Sequence, residues 1–249
     1  MVYVLSDIHG QQRRFNSIME QINLQPEDTL YVLGDVIDRN PDGIRILRLL
    51  MAMPNVKMLL GNHELMMLKA LHHIDEEYPF GWEYLQEKRL EHWYRNGGGV
   101  THSHLKHLRR TLREDIFDFL NQLPVNERIS VNGKDYILTH AAPVELYSEL
   151  SRYDTAKEFA VWHRFKGYEE YPTDCTVIFG HSGTCHFQQD NPMKIWYGKG
   201  LIGIDCGASY PEGGDPRSGR IGRLACLRLD DMQEFYSEES EEAVRIEIV

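Results

Sequence analysis

The 249-residue chain is 42% hydrophobic and 26% charged, the balance of a soluble globular protein long enough for one large core. Its formal net charge of -11 argues against a protein that grips nucleic acid by the phosphates, which takes a basic face, although a local cationic centre such as a metal would still draw an anionic substrate. No run approaches the roughly 18 apolar residues of a membrane span, and Met1 to Leu5 lacks a basic flank and a long apolar stretch, so we expect an unexported, cytoplasmic chain with neither a membrane nor a nucleic-acid partner.

Taken in order, Val2 to Leu5 is a β-branched and aromatic run that ends in Ser6, Asp7, Ile8, His9, Gly10, and Phe15, Ile18, Met19 and Ile22 then recur at helical spacing. A second strand at about 29 to 33 runs into Gly34, Asp35, Val36, Ile37, Asp38, Arg39. Asn40 and Pro41 read as the cap and first position of a helix marked by Ile44, Leu47, Leu50 and Met51. Val56 to Leu60 is a third strand, leading through Gly61, Asn62, His63, Glu64 to a helix with Leu65, Leu68 and Leu71. This βαβαβα order implies parallel strands with right-handed crossovers, which brings all three polar loops out at one edge of a sheet.

From about 72 to 128 the texture changes to aromatic and charged residues at helical spacing (Trp82, Tyr84, Leu85, Trp93, then Leu105, Leu108, Leu112, Ile116, Phe119, Leu120), broken by Asn96, Gly97, Gly98, Gly99. We read a helical insertion packed over the core, with the glycines as a turn between helices and His102, His104 and His107 as a solvated face. Beyond Pro124, Ile129 to Val131, the turn Asn132-Gly133 and Tyr136 to Thr139 suggest a hairpin ending at His140. Glu158 to Arg164 reads as a short helix or turn. Thr176 to Phe179, Ile195 to Tyr197, Leu201 to Ile204 and Leu224 to Leu229 read as strands, with a Gly-rich loop at 210 to 222 and a solvated acidic end at 238 to 242. The expectation is an α/β (α+β) protein, one domain over 1–249, built as a two-sheet β-sandwich flanked by helices. Cys175, Cys185, Cys206 and Cys226 are too scattered for a zinc cluster or disulfide frame and read as free thiols.

The polar residues that end these strands are Asp7, His9, Asp35, Asn62, His140 and His181. Three imidazoles, two carboxylates and an amide are too many for one tetrahedral zinc and lack the thiolates of a structural site. They suit two metal ions bridged by a carboxylate, with mixed N and O donors pointing to Mn, Fe or Zn.

Asp7-Ile8-His9, Gly34 through Arg39, Gly61 through Glu64, Thr139-His140 and Gly180-His181 resemble the ordered motifs of the calcineurin-like metallophosphoesterases, in their phosphoprotein phosphatase branch. His92-Trp93 with Asn96 through Gly99, Val161-Trp162 with Arg164, and Asp205 with Gly207-Ala208 are similar to the bacteriophage lambda type of serine/threonine phosphatase. Asn40 stands where many relatives have Gly, and Ala141-Ala142 where the eukaryotic enzymes have two glycines.

The resemblance implies that Asp7 and His9 hold a first metal, Asn62, His140 and His181 a second, and that Asp35 bridges them. A hydroxide shared by the metals would attack phosphorus in line. Arg39 and Arg164 would clamp the phosphoryl oxygens, and His63, oriented by Asp38, would protonate the leaving oxygen. It further implies Mn as the first choice of metal and a phosphorylated protein or peptide as substrate, phosphoserine or phosphothreonine with phosphotyrosine also in range. A symmetrical diadenosine tetraphosphatase-like nucleotide hydrolase is the second reading. Those relatives usually have Ala where this chain has Asp38. An inactive scaffold is the third, though no ligand has been lost.

Overall fold

The structure is a computed structural model that describes residues 1–71, 82–167, 174–211 and 220–238. Among the described residues, ten strands form two sheets of five. The first has the order β10-β9-β1-β2-β3, from β1 (Val2–Leu5), β2 (Thr29–Val32), β3 (Val56–Met58), β9 (Ala225–Arg228) and β10 (Gln233–Tyr236). The second has the order β4-β5-β6-β8-β7, from β4 (Asn126–Val131), β5 (Lys134–Thr139), β6 (Thr176–Phe179), β7 (Trp196–Tyr197) and β8 (Leu201–Gly203).

Side-chain alternation along each strand sorts the apolar residues into three layers. Val4, Tyr31 and Leu33 of the first sheet meet Tyr136, Leu138, Ile178 and Ile202 of the second, so the sheets face each other across one core. The alternate residues Tyr3, Leu5, Leu30 and Val32 point the other way, onto Phe15 and Ile18 of α1 (Gln12–Ile22), Ile44 and Leu47 of α2 (Gly43–Met51) and Leu65 and Leu68 of α3 (Asn62–Ala70). On the far side, Ile137, Val177, Phe179 and Leu201 pack with Phe159 of α7 (Ala156–Trp162). The layers therefore run helix, sheet, sheet, helix.

Sense of pairing decides where the loops emerge. β1, β2 and β3 are mutually parallel, as are β5, β6 and β8. Ligands of open α/β sheets bind beyond the carboxyl ends of such strands.

Two local expectations fail. Asn40 and Pro41 do not open a helix: α2 begins at Gly43 with Asp42 before it, and the Asn40 side chain instead donates to His9 O at 2.9 Å. The cause lies just upstream, where Asp38 and Arg39 at φ 70 and 68 turn the chain sharply and delay the helix. The strand β10 has no sequence precedent in our reading because Gln233 and Glu234 give it the polar character of a sheet edge. The helical stretch contains α4 (Trp82–Arg95), α5 (Gly99–His107) and α6 (Arg110–Asn121), and the chain is already in β4 at Asn126. The expected start of that stretch at 72 to 81, most of the Gly-rich loop and the acidic end beyond 238 lie outside the described residues. His102 is half-buried, its ring centroid 5.7 Å from that of Trp93, and His107 is exposed. All four cysteines are buried, and none forms a disulfide among the described residues.

Candidate metal centre

Five strand ends deliver the six residues of the site. Asp7 and His9 follow β1, Asp35 follows β2, Asn62 opens α3 just after β3, His140 follows β5 and His181 follows β6. The loops are stitched together: Asp7 N donates to Gly34 O at 3.2 Å, His9 N to Asp35 O at 2.9 Å, Gly180 N to His140 O at 2.9 Å and His181 N to Asp7 Oδ2 at 2.9 Å. Gly34, at φ +85, passes so close to the next loop that a Cβ would stand 2.5 Å from Gly61 Cα.

Six of the nine non-glycine residues with positive φ among those described are Asp7, His9, Asp35, Asp38, Arg39 and His181. Such backbone costs of order 1–3 kcal/mol per residue and persists where surrounding structure over-determines it, which marks the rim as the functional part of the molecule.

Asp35 is the hub. His9 Nε2 lies 3.6 Å and His63 Nε2 3.8 Å from its Oδ2, and His140 Nε2 lies 3.5 Å from its Oδ1. Asp7 Oδ1 is 3.9 Å from His9 Nε2, and Asn62 Oδ1 is 2.9 Å from His140 Nε2. Two groups of donors, His9 with Asp35 and His63, and Asp35 with His140 and His181, each keep their ligand atoms within 4.8 Å. The second group brings together Asp35, His140 and His181, with Asn62 Oδ1 against His140 Nε2. The first contains His63, which the sequence reading places outside the ligand set.

The second ring nitrogens orient these imidazoles. His9 Nδ1 pairs with Ile37 O at 3.0 Å and His140 Nδ1 with Leu33 O at 2.6 Å, so each ring turns its Nε2 inward. The Nε2 atoms of His9 and His181 are buried without any hydrogen-bond partner. Buried nitrogens rarely stay unpaired unless something else takes the lone pair, and the donor set fits divalent cations.

The electrostatics agree. Burial raises Asp7 well above the ordinary carboxylate value, with the charges of Asp205 and Asp35 adding to the effect. Burial would raise Asp35 too, but the imidazoles of His140, His63 and His9 outweigh it and hold the carboxylate far below its usual range. Burial pushes His9 and His181 well down, so both are neutral and able to ligate. Concentrated carboxylate charge that burial disfavours is what a bound cation relieves.

Around this centre, Asp38 is fully buried with Oδ2 2.7 Å from His63 Nδ1. Arg39, exposed above the site, donates from Nη2 to His63 Nε2 at 3.1 Å and from Nη1 to Ser209 Oγ at 3.0 Å. Arg164, two residues past α7, donates to His181 O at 3.1 Å. The sequence reading missed Glu64 as a support: its carboxylate, lifted to about 7 by burial and by Asp35, accepts the amides of Gly61, Asp35, Val36 and Ile37. Its place three residues after Gly61 in the first turn of α3 was a legible capping signal. Asp205 at the end of β8 was legible by the same strand-end rule. Its carboxyl is raised by burial and its Oδ1 takes the Gly207 amide at 2.9 Å.

Buried carboxylate and imidazole donors gathered at the rim of a helix-sheet-sheet-helix sandwich define a candidate divalent-metal protein in class. Residues 1–197 match the family model described as calcineurin-like phosphoesterase, and the chain belongs to that family. Over 68 residues it is 40% identical to the symmetrical bis(5'-nucleosyl)-tetraphosphatase of Erwinia tasmaniensis, an overlap of 26% of this chain and 25% of that protein. The chain thus aligns with only about a quarter of that curated relative. In fold it is similar to a crystal structure provisionally described as a diadenosine tetraphosphatase, at TM-score 0.55 and 18% identity over 96% of this chain and 94% of that one. It is also similar to a protein serine/threonine phosphatase from Saccharomyces cerevisiae, at TM-score 0.54 and 14% identity over 97% and 80%. No helix among the described residues is long and apolar enough to cross a membrane.

Proposed function

We propose that the protein is a dinuclear-metal-dependent phosphomonoester hydrolase acting on phosphoserine and phosphothreonine in proteins or peptides. Asp7 and His9 would hold one cation, Asn62, His140 and His181 the other, with Asp35 shared. Two such cations, Mn before Fe or Zn, would supply Lewis acidity to the phosphoryl group and lower the pKa of water there.

The protein's own groups account for the rest. Arg39 and Arg164 sit exposed over the buried donors, where planar guanidinium forks match phosphoryl oxygens. His63 gives Nδ1–H to Asp38, which leaves Nε2 facing the site. Arg39 can only donate, so in this state Nε2 accepts from it and carries no proton. When Arg39 turns onto a phosphoryl group, Nε2 is released to take up a proton from solvent and pass it to the leaving oxygen.

The observation that carries the choice of monoester is the Asp38–His63 pair at 2.7 Å. A serine alkoxide is a poor leaving group and needs such an acid, worth about 10²- to 10⁴-fold. Hydrolysis of a dinucleoside tetraphosphate, whose leaving group is itself a phosphate, does not. That second reading is favoured by the local similarity to the Erwinia enzyme. Catalytic efficiencies measured side by side with Mn decide between them: phosphopeptides should exceed diadenosine tetraphosphate, and the reverse order would overturn the proposal.

A further inference from the structure

The Asp38 carboxylate carries one more donor than the chemistry above calls for. Trp93, fully buried on α4, gives its Nε1–H to Asp38 Oδ2 at 2.7 Å, the same oxygen that receives His63 Nδ1–H. The other oxygen, Oδ1, is buried with no hydrogen-bond partner. Both side-chain hydrogen bonds to this carboxylate therefore converge on one oxygen.

The backbone around Asp38 leans on the same stretch of chain. Asp38 N donates to Thr101 Oγ1 on α5 at 3.0 Å, and Arg39 N donates to Gly97 O at 3.1 Å. Gly98 lies flat against the indole, where a Cβ would stand 2.4 Å from Trp93 Nε1. Asp38 and Arg39 both have positive φ, a conformation that isolated chain does not hold. Residues 93 to 101 supply three partners that hold it.

We propose that Trp93 is a positioning residue for the His63–Asp38 pair, with Thr101 supporting the same turn, so that α4 and α5 form part of the catalytic machinery. The indole N–H donates only and does not titrate. It holds Oδ2 towards the imidazole, which fixes the Nδ1–H tautomer and the direction of Nε2. Without it the carboxylate is free to rotate and the His63 ring, with its bond from Arg39, loses its aim. The inference rests on His63 being the proton donor of the proposed reaction.

Trp93→Phe keeps the ring and removes the N–H. We expect kcat for a phosphoserine peptide to fall roughly tenfold or more, a fraction of the full worth of a general acid. For p-nitrophenyl phosphate, whose leaving group needs little protonation, kcat should stay within about twofold, with KM for both substrates and Mn binding by calorimetry unchanged. Equal losses on the two substrates, or none on either, would overturn the inference. Should Trp93→Phe fail to fold, Thr101→Val decides, with a smaller loss again confined to the peptide. His63→Gln is the control: if it shows no dependence on leaving group, the role of His63 itself falls, whereas a dependence present there and absent in Trp93→Phe and Thr101→Val sinks only the role given to Trp93.

Discussion

The same strands behave in opposite ways along their length. Where the sheets face each other, Val4, Tyr31, Leu33, Leu138 and Ile178 are buried, apolar and regular. A few residues further on, the chain turns into left-handed backbone at Asp7, His9 and Asp35, leaves the Nε2 atoms of His9 and His181 without hydrogen-bond partners, and displaces carboxyl and imidazole protonation. The first region holds the second in place, and strain tolerated at the rim is offset by burial in the layer between the sheets. A substitution in one should therefore damage function and in the other stability.

The largest effect expected is on the hub. Asp35→Asn removes a charge that both donor groups share and should lower turnover on the order of 10³-fold or more, with the fold retained, as circular dichroism would report. Its counterpart is Leu138→Ala between the sheets, which should cost about 2–5 kcal/mol in denaturant unfolding while the folded fraction keeps its kcat. A large loss of turnover in the folded Leu138 variant would break the contrast between the regions.

Arg39→Lys should cost less. Losing a charge-assisted fork of about 1.5–3 kcal/mol corresponds to roughly 10- to 150-fold in kcat/KM, with unfolding unchanged because Arg39 is exposed. The smallest effect is the pH dependence of the metal-free protein. Burial holds the folded-state affinity of His9 and His181 for protons below that of the unfolded chain, so the unfolded chain binds more protons as the pH falls through about 6.5. Melting with chelator present should drop from pH 7.5 to 5.5, and a His9→Gln/His181→Gln variant should show a shallower drop. An equal slope would place the two imidazoles outside the buried site.

The sequence made most of the rim legible because it is written at strand ends, where an apolar run stops at Asp7, Asp35, His140 or His181, and this signal is local. The layers followed from alternation in β1, β2, β5 and β6. What stayed hidden depends on distant partners. Nothing near Trp93 in sequence indicates that its N–H meets Asp38, and nothing at Asn40 shows that its side-chain N–H is donated to His9 O. The edge strand β10 is polar, and its pairing with β9 is set by tertiary contact. His63 shows the limit from the other side: its position beside Asn62 was evident, but its reach to within 3.8 Å of Asp35 was not.

Everything here depends on two cations meeting at one rim. Calorimetric titration of the chelated protein with Mn should give two ions per chain, with His9→Ala and His181→Ala each binding one. A stoichiometry of one or none for the wild type, or an unchanged count in both variants, would contradict the account.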